Sequence, residues 1–267
     1  MTTPCPAHAV PADVVDVRRE GLVWTIVLNR PQRRNAINSA LQGELVAALA
    51  EFDADTEARV AVLSGADPAF CAGMDLHELG NGSMGYDDEA TTFAQAMRAV
   101  GKPIIGAING PTVAGGLELA LACDFLIASE RAWFADSHAD VGVVPGGGLT
   151  VYLAQAVGVR RARQISLTGE YVTADRALRD GLVTEVLAHE QLLPRAAQLA
   201  AAVAARGELV VAAIRTAYDR TLNLPADEAL DAESAASRAA GIPTGQVQSA
   251  TGGLIARGSI TTSEGQS

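Results

Sequence analysis

Short apolar runs alternate with polar, glycine-containing turns along the first two thirds of the chain. Residues 14–28 contain two such runs, VVDVRR and GLVWTIVL, and single runs follow at 60–65, 102–110 and 124–129. Runs of this length that end at glycine or turn residues are typical of buried strands. Between them the apolar spacing changes to that of a helix, so repeated strand–turn–helix units predict an α/β fold.

Helical spacing is clearest directly after the second run. Ser39 suits the N-cap of a helix over 40–52. The apolar residues of that helix fall on one face: Leu41, Leu45, Ala48, Leu49 and Phe52. A loop at 80–88 and a helix at 89–100 are predicted further along, so the helices of this region lie between the buried strands.

From residue 149 onward the pattern is mainly helical. Helices are predicted at 149–157, 160–167, 174–179, 190–205, 207–221 and 226–239, with one strand at 182–187. We therefore divide the chain into a flexible N-terminus (1–13), an α/β core (14–188), a C-terminal helical region (189–240) and a flexible tail (241–267).

The composition favours a soluble protein and disfavours several partners. The 267 residues are 49% hydrophobic and carry a net charge of -11. Nucleic acid is disfavoured, because phosphate binding requires a basic face. No apolar run approaches the ~18 residues of a membrane span, and the N-terminus lacks the pattern of a signal peptide. We therefore predict a cytoplasmic location and no membrane partner.

The cysteines and histidines predict neither disulfides nor a metal site. Cys5, Cys71 and Cys123 are odd in number and widely spaced, so no disulfide framework follows. The four histidines have no zinc-ligand spacing, alone or with the cysteines.

Two glycine-rich turns follow predicted strands and suggest close backbone approach to a ligand. AFCAGMD (69–75) leads into a short helix, and NGPTVAGGLELALACD (109–124) begins a helix near Gly115 and Gly116. Amides at a helix start point outward and can stabilise an oxyanion. Glu118 is the only charge between Asn109 and Asp124, and a buried carboxylate can transfer protons. Two alternatives remain open: a bare strand–helix connection, and a Glu118 that satisfies the helix N-terminus.

The segment FADSHADVGVVPGGG (134–148) places three ionisable residues, Asp136, His138 and Asp140, before a glycine-rich loop. It is compatible with an active-site edge. It is equally compatible with a surface turn, in which Asp136 and Ser137 act as turn and cap residues and His138 is a satisfied polar side chain.

Five segments, in this order, resemble the crotonase superfamily of enoyl-CoA hydratases and isomerases. They are VLNRPQRRNAIN (27–38), FCAGMDL (70–76), INGPTVAGGLELALACD (108–124), FADSHADVGVVPGGG (134–148) and TGEYVTADRALRDGLVTEV (168–186). The resemblance covers roughly residues 14 to 240. It implies a crotonase-type spiral of ββα units, a C-terminal α-helical oligomerisation region, and a homotrimer or dimer of trimers. It also implies an acyl-CoA thioester substrate and no metal or redox cofactor.

The same resemblance implies the roles of individual residues. The oxyanion hole would consist of the amides of Met74 and Gly115, and Glu118 falls on one of the two catalytic glutamates of the hydratases. The second glutamate falls on His138, which is the main departure from the family pattern. Further substrate-binding candidates are Arg34, which could contact a phosphate or the adenine, and Ala36, Ala72, Asp75, Leu76, Gly116, Asp140 and Gly146.

The His138 position leaves the chemistry open. His138 could act as a base when neutral, and Asp140, two residues on, would face the same side in an extended segment and could orient the imidazole. With Glu118 as the main acid/base, the chain is predicted to be an enoyl-CoA hydratase. The alternatives are a double-bond isomerase and a catalytically degenerate acyl-CoA-binding oligomer. An aspartate that dienoyl-CoA isomerases carry falls on Gly146, which disfavours that subclass.

Overall fold

The computed structural model describes residues 13–81 and 92–241. Six strands form the main sheet in the order β1-β2-β3-β4-β6-β9. Their bounds are β1 Val15–Glu20, β2 Val23–Leu28, β3 Val60–Gly65, β4 Ile104–Ile108, β6 Phe125–Ser129 and β9 Glu185–Leu187. Strands β1 and β2 are antiparallel, and every other neighbouring pair in this sheet is parallel.

Both faces of this sheet are covered, which explains the continuous apolar runs. In β3, Val60 and Val62 belong to one buried cluster, whereas Ala61 and Leu63 belong to the other. Successive strand side chains point to opposite faces, so a run without polar interruptions is required where each face packs against other elements. The α/β fold predicted from the sequence is confirmed.

A small second sheet positions the two glycine-rich turns. It contains β5 (Thr112–Val113), β7 (Trp133–Ala135) and β8 (Val172–Thr173), with β7 between the other two. Strands β5 and β8 were not predicted, because a two-residue strand has no periodicity to detect in the sequence.

Ten α-helices connect the strands or follow them within the described residues. They are α1 Ser39–Ala54, α2 Leu76–Gly80, α3 Phe93–Ala99, α4 Gly115–Leu121, α5 Leu149–Val157, α6 Val159–Thr168, α7 Ala174–Asp180, α8 Leu192–Ala204, α9 Glu208–Thr221 and α10 Ala226–Ala239. Short 3-10 helices occur at Pro31–Arg33, Ala139–Val141 and His189–Gln191. The predicted buried face of α1 is confirmed residue by residue.

Two predicted boundaries are wrong for reasons of hydrogen bonding. The N-cap of α1 is Asn38, whose side chain accepts from the Leu41 amide, and Ser39 is the first helical residue. The strand expected at 182–187 begins only at 185, because the Leu182 amide donates to the Ala177 carbonyl and closes the end of α7. Of the predicted flexible N-terminus, all but residue 13 lies outside the described residues. Of the predicted tail, all but residue 241 lies outside them. The same is true of most of the loop at 80–88 and of the first part of the helix at 89–100.

The chain forms two compact units that divide between Ala205 and Arg206. Helix α8 belongs to the first unit, where Leu192, Ala196 and Ala200 pack on the sheet, and not to a separate C-terminal helical region as predicted. In the second unit α9 packs against α10.

The described residues contain no single helix long and apolar enough to cross a membrane. One consecutive pair, at 189–204 and 208–221, meets the criterion jointly, by length and composition only.

Candidate active site

The two glycine-rich turns meet at the carboxyl ends of β3 and β4. Residues Ile37 and Met74 form a parallel bridge, and so do Cys71 and Thr112. A Cβ built on Gly115 would lie 3.5 Å from the Met74 nitrogen. In the described parts of the chain neither the Met74 nor the Gly115 amide donates to a protein acceptor. The two amides that the resemblance assigns to an oxyanion hole are therefore neighbours with unused donors.

The backbone before Gly115 is strained. Ala114 has φ 47° and ψ -115°, a conformation that residues with a Cβ rarely adopt and that costs about 1–3 kcal/mol. It is held in place because β5 pairs with β7 and because the Ala114 amide donates to the Ala135 carbonyl over 3.0 Å. This strain occurs at the residue that turns the chain into α4 and sets the direction of the Gly115 amide.

Glu118 lies one helical turn beyond Gly115 and is buried, with 5% of its surface exposed. Its Oε1 accepts a hydrogen bond of 2.6 Å from the amide of Gly147. This partner is a loop residue rather than an amide of the first turn of α4. The alternative in which Glu118 only satisfies the helix N-terminus is therefore wrong. Within the described residues Oε2 has no hydrogen-bond partner, so one carboxylate oxygen is available.

His138 forms a buried pair with Asp136. The His138 Nδ1 lies 2.6 Å from the Asp136 Oδ1, and the side chains are 7% and 1% exposed. Because carboxylate oxygens only accept, Nδ1 carries the proton and Nε2 faces away from Asp136. The described residues provide no hydrogen-bond partner for Nε2. Ser166 on α6 lies beside Asp136 and favours its ionised form.

The protonation of this pair follows from its surroundings. Burial alone would lower the pKa of His138, but the hydrogen bond and charge of Asp136, together with the charge of Glu118, raise it above the ordinary value. For Asp136, burial opposes ionisation, yet the hydrogen bond from His138 and the neighbouring Ser166 lower its pKa. The arrangement favours an imidazolium beside a carboxylate, rather than the neutral base considered from the sequence.

The expected role of Asp140 as the partner of His138 is wrong, because the segment is not extended. His138 has helical backbone angles, and Ala139–Val141 is a 3-10 helix. Asp140 is exposed, and a Cβ built on Gly169 would lie 2.9 Å from its Oδ2. Asp136 therefore takes the role that alternation along a strand would give to Asp140.

The other candidates surround these turns. Arg34 is exposed, and its carbonyl accepts from the Ala72 amide. Ala36 is half-buried, and Leu76 is 62% exposed at the start of α2. Gly146 is exposed with nothing within 4 Å of a built Cβ.

Asp75 and Gly116 have structural contacts that the sequence did not indicate. Asp75 forms an ion pair of 3.1 Å with Arg30, whose guanidinium also donates to the Ala36 carbonyl. Arg30 thereby joins the segment of Arg34 and Ala36 to that of Ala72, Asp75 and Leu76, all of them substrate-binding candidates. Burial opposes ionisation of Asp75, but Arg30 keeps its pKa below the usual value. Gly116 packs against the backbone of Cys71.

Three residues of this region were missed as participants: Arg30, Asp136 and Gly147. The Asp-x-His spacing was a usable signal for Asp136, since a carboxylate two residues before a histidine can reach Nδ1 in a turn. Nothing local to Gly147 indicates that its amide binds a carboxylate 29 residues earlier in the chain.

The Gly147 contact predicts a matched pair of variants. A Cβ on Gly147 would lie 2.7 Å from the Glu118 Oε2, whereas a Cβ on Gly43, an exposed residue of α1, meets open space. We expect Gly147→Ala to displace the carboxylate and lower kcat at least about tenfold, since small misplacements of a catalytic group are costly. Gly43→Ala should stay within about twofold. Steady-state kinetics of the two purified variants would check this prediction, and an equal loss of kcat in both variants would contradict it.

Comparison with known proteins agrees with the resemblance seen in the sequence. The profile of the family described as enoyl-CoA hydratase/isomerase matches residues 18–242. The chain is 40% identical over 217 residues to a probable enoyl-CoA hydratase of Rhizobium meliloti (strain 1021), covering 80% of this chain and 84% of that one.

Solved structures give the same result. The crystal structure of an enoyl-CoA hydratase from Mycobacterium tuberculosis H37Rv has 47% sequence identity and a TM-score of 0.72, covering 85% of this chain and 98% of that one. An enoyl-CoA hydratase from Bacillus anthracis has 31% identity and a TM-score of 0.77, covering 84% and 90%. Other similar proteins include peroxisomal and mitochondrial hydratases, so the cytoplasmic location stays a prediction.

Proposed function

The chain belongs to the enoyl-CoA hydratase/isomerase family, and from this we propose that it adds water across the double bond of 2-enoyl-CoA thioesters. One observation carries the proposal. A buried carboxylate, Glu118, with one oxygen held by the Gly147 amide, lies one turn beyond the Gly115 amide and close enough to His138 to raise its pKa. Hydration requires a base that accepts a proton from water and an acid that protonates Cα, and Glu118 and the His138 imidazolium can supply these two functions.

The proposed steps follow from the chemistry of these groups. The amides of Met74 and Gly115 bind the thioester oxygen and stabilise the negative charge that develops on it. The water oxygen bonds to Cβ while one of its protons passes to Glu118. The imidazolium of His138 gives its Nε2 proton to Cα, so the product gains one hydroxyl and one hydrogen. A proton then returns from Glu118 to His138 and restores the starting state.

The substrate supplies the only coenzyme that this scheme needs, since every step is a proton transfer or an addition. We assign the CoA-binding surface to the segments around Arg34, Ala36, Ala72, Asp75 and Leu76, which the Arg30–Asp75 ion pair joins. Arg34 is exposed and carries the charge that a phosphate would need. We also propose a homotrimer or dimer of trimers. Exposed apolar side chains on α9 support it: Leu209, Ile214 and Tyr218.

A second candidate, double-bond isomerisation, is favoured by the presence of one catalytic carboxylate instead of two. A single base can move a proton between two carbons without adding water. Crotonyl-CoA and a 3-enoyl-CoA distinguish the two reactions. Hydration removes the absorbance of the conjugated thioester, whereas isomerisation of the 3-enoyl substrate creates it.

We expect the purified enzyme to consume crotonyl-CoA or a longer 2-enoyl-CoA and to form the 3-hydroxyacyl product, identified by mass. If the enzyme turns over the 3-enoyl-CoA but none of the 2-enoyl-CoAs, its reaction is isomerisation and not hydration. Binding of both thioesters without any turnover would contradict both reactions and favour the degenerate binding protein.

A further inference from the structure

We propose that Asp136 is a positioning residue for His138. Its carboxylate balances the charge of the imidazolium, so that the pair has one transferable proton and no net charge, as a neutral acid has. The inference rests on the proposed function, in which His138 gives a proton to the substrate Cα. It concerns Asp136, which neither the resemblance nor the comparisons assign to the site.

The geometry fixes which ring nitrogen of His138 faces Asp136 and which one can exchange a proton with the substrate. The Asp136 Oδ1 lies 2.6 Å from Nδ1 and also accepts the His138 backbone amide over 3.2 Å. The aspartate therefore fixes the tautomer and the ring orientation, and Nε2 is left as the exchanging nitrogen. Ser166 on α6 also lies beside Asp136 and favours its ionised form.

The charges explain why a histidine at this position needs a partner. Both side chains are buried, and an isolated buried charge is costly. An imidazolium without Asp136 would have Glu118 as its remaining counter-charge, so the group that must accept a proton from water would also have to stabilise the imidazolium. With Asp136 present, the His138–Asp136 pair is neutral, and Asp136 rather than Glu118 is the direct counter-charge of the imidazolium.

The sign of the pH dependence follows. The active form of His138 is the imidazolium, and the groups that act on its charge are Asp136 and Glu118, against the effect of burial. Asp140 is turned toward Gly169 on the exposed side. Because the pKa of His138 is raised, kcat/KM should be lost as the pH rises through that raised value. This loss forms the alkaline limb of the pH profile of kcat/KM. Removing the charge of Asp136 should move the limb to lower pH.

The first test is Asp136→Asn, which keeps an oxygen acceptor for Nδ1 but removes the charge. We expect kcat/KM to fall about 10-fold or more and the alkaline limb to move down by roughly 1 to 3 pH units. Asp136→Glu restores the charge and should return the limb part of the way. The matched control is Asp67→Asn, which removes a carboxylate from the other His–Asp contact, 3.0 Å from the His189 Nε2, and should leave the limb unmoved.

A double variant tests the charge argument directly. In Asp136→Asn/His138→Glu, a protonated glutamate supplies one proton at no net charge, as the native pair does. His138→Glu alone leaves two carboxylates, Asp136 and the new glutamate, side by side in a buried site. We expect the double variant to exceed both single variants in kcat/KM by about tenfold or more. A double variant no better than His138→Glu alone would overturn the proposal.

Titration of the imidazole by NMR separates this inference from the proposed function, because it needs no substrate. The His138 signal is identified by its loss in His138→Gln. In Asp136→Asn we expect it to titrate at lower pH than in the wild-type enzyme. An unchanged titration, with activity lowered equally at all pH values, would mean that Asp136 has only a structural role. If the wild-type enzyme hydrates no thioester while the titration shifts as expected, the proposed function fails and the His138–Asp136 pair stands.

Discussion

Replacing Glu118 by glutamine should lower kcat for hydration by about 10²–10⁴-fold, the usual contribution of a general acid or base. The amide oxygen of glutamine can still accept the Gly147 N–H that Oε1 accepts over 2.6 Å. The variant therefore keeps the shape and the hydrogen bond of the site but cannot accept a proton from water. KM for the thioester should change little, because the oxyanion amides and the CoA-binding segments are untouched.

Glu44→Gln is the matched control for this prediction. Glu44 on α1 also accepts a backbone amide, that of Val15, over 2.9 Å, but α1 contributes no residue to the proposed site. Loss of activity in Glu118→Gln with full activity in Glu44→Gln, both measured with crotonyl-CoA, would assign the effect to the lost proton acceptor. Turnover within tenfold of the wild-type rate in Glu118→Gln would remove Glu118 from the mechanism.

The fold could be predicted from the sequence in those elements whose hydrophobic pattern depends on burial alone. The strand at 60–65 is apolar from Val60 to Leu63 because its two faces pack against different clusters. The buried face of α1 follows from helical spacing of apolar residues. The errors occur where hydrogen bonds decide: the Asn38 cap and the Leu182 amide that closes α7. Such bonds compete with the regular pattern without changing the hydrophobicity of the segment.

The candidate active site could be predicted from the sequence only in part. Glycine-rich turns after buried strands indicate backbone amides near a ligand, and the structure brings Met74 and Gly115 together. The partner of His138 was misassigned because alternation along a strand was assumed for a segment that forms a 3-10 turn. Nothing in an alanine predicts the positive φ of Ala114. That conformation depends on distant segments, because β5 pairs with β7 on one side and Thr112 bridges to Cys71 on the other.

Gly116→Ala should both destabilise the protein and inactivate it. A Cβ at this position would lie 2.2 Å from the Cys71 carbonyl oxygen and 2.8 Å from the Cys71 carbonyl carbon. Backbone atoms cannot rotate away, so one turn has to move. Overpacking of this kind typically costs 1–3 kcal/mol. The Cys71 carbonyl accepts the Val113 amide and precedes Met74 by three residues, so its displacement should separate the two oxyanion amides and lower kcat.

Gly43→Ala provides the same substitution with the opposite expectation. Gly43 lies in α1, is exposed, and has nothing within 4 Å of a built Cβ. Alanine there should stabilise the protein by about 0.5–1 kcal/mol, because glycine is the poorer helix former. Thermal or denaturant unfolding of both variants measures the difference, and the hydration assay measures activity. Since both residues are helical glycines, helix propensity predicts stabilisation in each case, and only the contact with Cys71 reverses the sign. Stabilisation of both variants with full activity would therefore show that the two turns can separate without affecting the oxyanion amides, and would contradict the arrangement on which the proposed reaction depends.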